Sequence, residues 1–589
     1  MIESICAILT RKGELGESQA KEAIEAHRAQ PDKRFDRWLV ESKLASETAV
    51  LEALAELLGL RCVDLASQAV DAEAIRAVPA RLVYRYAMFP VSRQNGSIVV
   101  ATSDPLNTAA LDEVRVSTRL KVEAVLAPRS EIEQQIKGHF GVGGETVGRM
   151  VHEQNGEAAL GELDDDAAEE LAQEASVVRL VNEIMTEAIR ARASDIHIEP
   201  EEGDLQVRYR IDGVLLQQPV PAELRRFRAA IVSRLKIMAR LNIAEKRLPQ
   251  DGRIKMRVDG REVDIRVSVI PMLHGEGVVL RILDRSRMTF SLQQIGMDDE
   301  TYGRFRSLIE LPHGIILATG PTGSGKSTTL YSALCEIKSE RTKMITVEDP
   351  VEYQMGGISQ IQVQSKIGLT FAAALRSILR HDPDVVLVGE IRDRETAEIA
   401  IEAAMTGHLV FSTLHTNDAS SAFARLTDMG IEPYLVASSM EGVLAQRLVR
   451  VICSACKVEY EPGPEDLPTD FPFESIERLY RGAGCRQCRG TGYAGRTGIY
   501  ELLVPNGAIR QMTMERANST EIQAEAMCSG MVTMRHGGYR KVLEGVTTLE
   551  EVARVSKAEE RPVRTRAAAC DESDDEPPRV GWPFRIAGS

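Results

Sequence analysis

The chain has 589 residues, enough for about three or four domains of ordinary size. With 43% hydrophobic and 27% charged residues it has the composition of a soluble protein with a large core, and its formal net charge of −15 argues against a whole-chain nucleic-acid binder. No apolar run reaches the roughly 18 residues that a membrane-crossing helix needs, and the first residues lack the basic-then-apolar pattern of a secretory leader, so the expected location is the cytoplasm.

Residues 1–140 read as a small mixed domain. Apolar residues at helical spacing run through Leu51, Leu54, Leu57 and Leu58. A strand is expected at Ser97–Ala101, a helix near Asn107–Ser117 and a strand at Leu120–Leu126. Residues 141–170, with Gly141–Gly144 and the acidic Asp164–Asp166, read as a flexible linker. Residues 171–290 read as an α+β domain on an antiparallel sheet. Glu174–Arg192 has a helical stripe, and alternating segments follow at Asp195–Glu199, Leu205–Ile211, Lys255–Val258 and Val263–Val267. Asp259-Gly260 between the last two is a hairpin signal.

From about 291 to 505 the pattern is α/β. Short apolar runs at Gly314–Ala318, Met344–Val347, Val385–Val388 and Leu409–Ser412 alternate with helical stretches, as a parallel sheet requires. Residues 506–556 read as helical. The segment 557–589, with Asp571–Glu576 and Pro577-Pro578, reads as a disordered acidic tail.

Gly320-Pro321-Thr322-Gly323-Ser324-Gly325-Lys326-Ser327 fits the P-loop pattern in full, with a strand before it and a helix from Thr328 after it. Such glycines turn backbone N–H groups onto phosphates at a helix N-terminus. Lys326 would reach the β- and γ-phosphates, and Ser327 would help to hold Mg²⁺. Two acidic segments end later strands: Thr346-Val347-Glu348-Asp349-Pro350, and Val385–Val388 followed by Gly389-Glu390. The second segment has the layout of a Walker B strand, but it departs from the commoner form because Gly389 stands where an aspartate is usual. Strand carboxyl ends face the ligand crevice in open α/β sheets, so both acids are candidates for the γ-phosphate. In Gly407–Asn417, a strand would carry His408 to one end and Thr413, His415 and Asn417 to the other.

Nine cysteines are present, and four form two pairs: Cys453-x-x-Cys456 and, 28 residues later, Cys485-x-x-Cys488. Four thiolates close a tetrahedral Zn²⁺ site, which makes this a structural metal module at about 450–495.

Together these motifs resemble the assembly ATPases of type II secretion and type IV pili. Thr319–Thr329, Thr346–Tyr353, Leu379–Asp393 and Gly407–Ala419 are similar to that family's Walker A, Asp box, Walker B and His box. Ala193–Pro200, Tyr209–Gly213 and Gln250–Arg253 resemble its second N-terminal domain. The resemblance implies a RecA-like P-loop ATPase domain after an α+β (PAS-like) domain, an N-terminal docking domain and the tetracysteine zinc module. It implies ATP, Mg²⁺ and Zn²⁺ as cofactors. It also implies a homo-hexamer at the inner membrane that works with a platform protein and a membrane-anchored docking partner. Glu348 would activate water and Glu390 the Mg²⁺-linked water, or the reverse. His408 and His415 would couple phosphate to motion, and Arg210 and Arg225 would reach the nucleotide. The four cysteines occur in secretion and pilus-extension members and not in retraction members. Some relatives bind cyclic di-GMP through Arg-Leu-Gly-x-x-Leu. The comparable Arg34-Phe35-Asp36-Arg37-Trp38-Leu39 departs from that motif and argues against this ligand. A nucleic-acid-translocating ATPase is disfavoured by the charge and by an aromatic content of 4%, and a non-hydrolysing scaffold by the complete acid set.

Overall fold

A computed structural model describes residues 2–28, 34–65, 70–94, 96–141, 143–144, 146–147, 150, 174–284, 290–471, 476 and 478–558. The acidic runs Asp164–Asp166 and Asp571–Glu576, and with them most of the expected linker and tail, lie outside the described residues. The chain divides into two compact units between residues 288 and 289.

The first unit opens with four helices, Ile2–Arg11, Glu17–Arg28, Phe35–Glu41 and Glu47–Leu58, packed through Ile5, Leu9, Trp38, Leu39, Leu51 and Leu54. A three-stranded sheet follows: β1 (Met88–Gln94) antiparallel to β2 (Ser97–Thr102), which is parallel to β3 (Lys121–Leu126). The expected strands at 97–101 and 120–126 lie in β2 and β3. The expected helix is Thr108–Thr118, capped by Asn107, whose side chain accepts from the Ala110 N–H. β1 is not expected from the sequence, because it contains Pro90, which cannot donate to a ladder. The strand lies at the sheet edge and its register slips between Pro90 and Ser92.

After the helix Ala175–Arg190 comes a six-stranded antiparallel sheet of β4 (Ala193–Glu201), β5 (Asp204–Ile211), β6 (Val214–Gln217), β7 (Gln250–Val258), β8 (Arg261–Met272) and β9 (Gly275–Leu283), in the order β6-β5-β4-β9-β8-β7. Alternate residues of one face (Ile196, Val207, Tyr209, Ile254, Ile265, Leu280) are buried against that helix and against Arg228–Ala239. The β7–β8 turn is the expected hairpin. Val258 pairs with Arg261, and Asp259 and Gly260 have φ of +50° and +78°, which a two-residue turn of matching twist requires.

The second unit is built on a seven-stranded sheet: β10 (Gly314–Thr319), β11 (Met344–Glu348), β12 (Ser359–Gln362), β13 (Val385–Val388), β14 (Leu409–Leu414), β15 (Met440–Ile452) and, past the short hairpin β16 (Lys457–Tyr460) and β17 (Leu479–Gly482), β18 (Tyr493–Leu503). Its order is β12-β11-β13-β14-β10-β15-β18, parallel up to the antiparallel β15–β18 pair. All six residues of β10 and of β14 are buried, because helices cover both faces. Four helices (Gly507–Met514, Ser519–Cys528, Met534–Leu543, Leu549–Val555) close this unit, as the helical reading of 506–556 expected. Among the described residues no helix is long and apolar enough to cross a membrane.

Candidate nucleotide site and metal centre

The parallel register fixes which residues leave the sheet together. Val347 of β11 is opposite Val388 of β13, Val388 opposite Ser412 of β14, and Leu414 opposite Thr319 of β10. Glu348, Glu390, His415 and the loop Gly320–Gly325 therefore leave at one edge, the carboxyl ends of the strands.

The loop is shaped by backbone freedom. Gly320 has φ +145°, and a Cβ there would stand 2.6 Å from both the Gln446 carbonyl oxygen and Ser324 Oγ. Gly325, at φ +94°, caps the helix Lys326–Ile337. Lys326 Nζ folds back and donates to the carbonyl oxygens of Gly320 (2.7 Å) and Pro321 (3.1 Å). Burial, with Arg447 beside it, pulls its ammonium down to about 8, against the pull of Glu390. Gln446 on β15 donates to the Ser324 carbonyl at 2.7 Å, while its Oε1 and Ser324 Oγ are buried without a partner. A cradle with a buried cation and two unsatisfied polar atoms fits a bound polyphosphate. Thr322, Gly323 and Ser327 are exposed at its mouth and Thr328 is half-buried. Sequence reasoning missed Gln446 and Arg447, which come to the loop from a strand more than a hundred residues later. Arg447 donates to the Asn417 side chain (3.1 Å), and burial lowers its pKa.

The two acids sit differently. Glu348 is 5% exposed and accepts from Tyr331 Oη, Thr346 Oγ1 (2.5 Å) and Gln360 Nε2 (3.2 Å). Glu390 is paired on one oxygen with Arg392 (2.5 Å) and faces His415 Nε2 at 3.3 Å on the other. His408 is not with them. It precedes the amino end of β14, bonded to the Ala403 carbonyl (2.8 Å). A six-residue strand, about 20 Å, separates it from the loop of its own chain.

In the first unit, strand pairing sets Arg210 opposite Asp195, Asp195 opposite Arg281, Arg281 opposite Arg266 and Arg266 opposite Arg253. Paired residues share a face, so four arginines and one aspartate form a row across five strands. Asp195 bonds Arg281 at 3.0 Å and stands 3.7 Å from Arg210. Like charges opposite one another are unfavourable, and a row of guanidinium groups on one face is the donor set that carboxylates and phosphates take. Arg225 is outside it: its guanidinium bonds the Gly203 carbonyl at 3.1 Å, at the other end of β5 from Arg210. Arg266 and Arg281 were missed, and Arg253 was noted only within the Gln250–Arg253 motif, because the alternation of the strands does not show which residues stand opposite one another across β7, β8 and β9. Arg34 and Arg37 are both paired with Asp104, and Arg34 also with Asp36.

Cys453 follows β15, Cys456 precedes β16, and Cys485 and Cys488 lie between β17 and β18. Their four sulfur atoms lie within 4.8 Å of one another, with Cys453–Cys485 at 3.8 Å, Cys456–Cys488 at 3.7 Å and Cys485–Cys488 at 3.7 Å. Sulfurs on a tetrahedron around Zn²⁺, each about 2.3 Å from the ion, are about 3.8 Å apart, and a disulfide would need about 2.05 Å. The donor set fits zinc. The backbone N–H groups of Cys485 and Gly492 both donate to the Cys488 sulfur, at 3.1 and 3.2 Å, and favour a thiolate there.

A RecA-like sheet carrying a complete phosphate loop, with two carboxylates at the same edge, defines a P-loop ATPase. The model of the type II/IV secretion system protein family matches residues 170–554, and that of the MshEN domain matches residues 58–146. The chain belongs to the type II/IV secretion system protein family. It is 47% identical over 525 residues to type II secretion system protein E of Xanthomonas campestris, covering 87% of this chain and 91% of the relative. It is 42% identical over 553 residues to the type IV pilus assembly ATPase PilB of Myxococcus xanthus, covering 92% and 97%. Over 392 residues it is 50% identical to the type II secretion system ATPase E of Vibrio cholerae, covering 66% and 77%.

Proposed function

We propose that this ATPase works as a cytoplasmic homo-hexamer on the inner face of the membrane, where it powers the assembly of pseudopilus or pilus subunits. A platform protein would receive the motion, and residues 1–140 would dock to a membrane-anchored partner. The observation that carries the reading is the common edge shared by the phosphate loop, Glu348, Glu390 and His415.

In this reading Gly320–Thr328 holds the phosphates, and Lys326 leaves its two loop carbonyls to bond them. Ser327 and Glu390 hold Mg²⁺, which supplies charge neutralisation of the phosphates. Glu348 orients the attacking water and takes its proton. His415 senses the phosphate through Glu390, and His408, at the far end of β14, acts on a neighbouring subunit. The row Arg210–Arg281–Arg266–Arg253 supplies guanidinium groups to the nucleotide of an adjacent subunit, with Arg281 and Arg266 at its centre and Arg225 serving its own fold. Cyclic di-GMP has no part in this reading, since Arg34 is neutralised by Asp36 and Asp104.

Sharing of sites between subunits can be tested by complementation. Lys326→Ala chains and Arg281→Ala chains should each lack activity. Mixing them creates sites with an intact phosphate loop facing an intact arginine, and activity should return to a fraction of the wild-type rate. Mixtures no more active than their components would mean that the arginine row does not act on a neighbour's nucleotide.

A further inference from the structure

Glu348 is more tightly held than a carboxylate waiting for water needs to be. One oxygen accepts from Tyr331 Oη, and the other from Thr346 Oγ1 at 2.5 Å and Gln360 Nε2 at 3.2 Å. Each donor is itself fixed. Tyr331 is 1% exposed and packs edge-on against Phe290 and Tyr353, with ring centroids 5.8 and 6.2 Å away. Thr346 is fully buried on β11, two residues before the carboxylate. The Gln360 amide is clamped between the Met355 N–H (2.7 Å) and the Tyr353 carbonyl (2.9 Å). A buried carboxylate with three neutral donors, and among the described residues no cation bonded to it, is held in one orientation, with one of its roughly four lone-pair sites left for water.

The origin of the donors gives the arrangement a direction. Tyr331 is on the first turns of the helix that begins at Lys326, so the element that grips phosphate also grips Glu348. Gln360 is on β12, the edge strand paired with β11. We propose that Tyr331, with Thr346 as its counterpart on the other oxygen, is the positioning residue for Glu348: it couples the phosphate-loop helix to the carboxylate and aims its free lone pair at the attacking water. This rests on the reading that Glu348 acts on water.

Chemistry that a bare structural contact would lack follows. Three donors hold the carboxylate in one orientation, so removing one lets it turn away from the water it would activate. Burial and the charge of Glu348 push the Tyr331 phenol upward, so Tyr331 stays a donor throughout the working range of pH. Among the described residues Tyr331 is the one ionisable group bonded to Glu348. Asp349 follows it in the chain, and Glu390, with Arg392 and His415, follows the neighbouring strand β13.

The test is steady-state ATP hydrolysis by the full chain across a range of ATP concentration, with Tyr331→Phe, Thr346→Val and Glu348→Gln. Tyr331→Phe keeps the ring and its packing and Thr346→Val keeps the shape. Each should lower kcat about tenfold and leave KM for ATP within about twofold, the loss expected for one hydrogen bond to a charged group. Thr346→Val provides the same reading should Tyr331→Phe fold poorly. If Glu348→Gln abolishes hydrolysis while both other variants keep the wild-type kcat, or lose activity through KM instead, the positioning role is wrong and the reading of Glu348 stands. If Glu348→Gln remains active, the reading of Glu348 falls, and this proposal with it.

Discussion

Lys326 illustrates how much of the site is set by single side chains. Its ammonium lies against two loop carbonyls, and burial pulls it down to about 8. A bound polyphosphate would restore a pKa well above this. ATP binding at pH 9 should therefore take up close to one proton at this lysine, measurable by calorimetry in buffers of different ionisation enthalpy, and no uptake at pH 9 would contradict the assignment. At Gly320 both the positive φ and the 2.6 Å approach of the Gln446 carbonyl exclude a side chain. Gly320→Ala should weaken ATP binding by more than about tenfold in an equilibrium titration. The phosphate loop was legible because all its parts are contiguous. Gln446, Arg447 and the bond from Tyr331 to Glu348 were not, because distant strands and helices bring them together and no short motif encodes them.

At the scale of elements, the C-terminal helix Leu549–Val555 is tied to β15 through Glu551, which is 1% exposed and bonded by Arg450 and Arg554. Burial would raise this carboxyl, but the two arginines hold it at about 2 against an ordinary 4.5. A lowered folded pKa gives stability that is complete above about pH 4.5 and is lost as pH falls toward 2. Glu551→Gln should cost roughly 2–3 kcal/mol at pH 7 in urea melts, with a smaller difference at pH 3. The metal module hangs from the same strand pair, with Cys453 after β15 and Cys488 before β18. Purified protein should carry about one zinc per chain by mass spectrometry, and Cys485→Ser should lower both zinc content and the melting temperature, by about 5 °C or more. The cysteine pairs could be read directly, since ligand spacing is local. β1 could not, because Pro90 disguises an edge strand. The arginine row could not either, since it depends on the register of five strands. His408 and His415 are close in the chain, yet β14 carries them to opposite ends.

For the molecule as a whole, the order of α+β unit, parallel sheet and helical end was visible in the alternation of strand and helix patterns, and of the motifs that carry the family resemblance the Walker A, Asp box and Walker B segments meet at one sheet edge. How subunits share the work is what the sequence of one chain encodes least directly, because the arginine row and the phosphate loop belong to different compact units. The most direct test of the central claim is ATP hydrolysis as a function of protein concentration, with Lys326→Ala and Glu348→Gln as controls. A ring motor with shared sites predicts specific activity that rises as the chain assembles and is lost in both variants. Activity that does not depend on concentration and survives Glu348→Gln would contradict it.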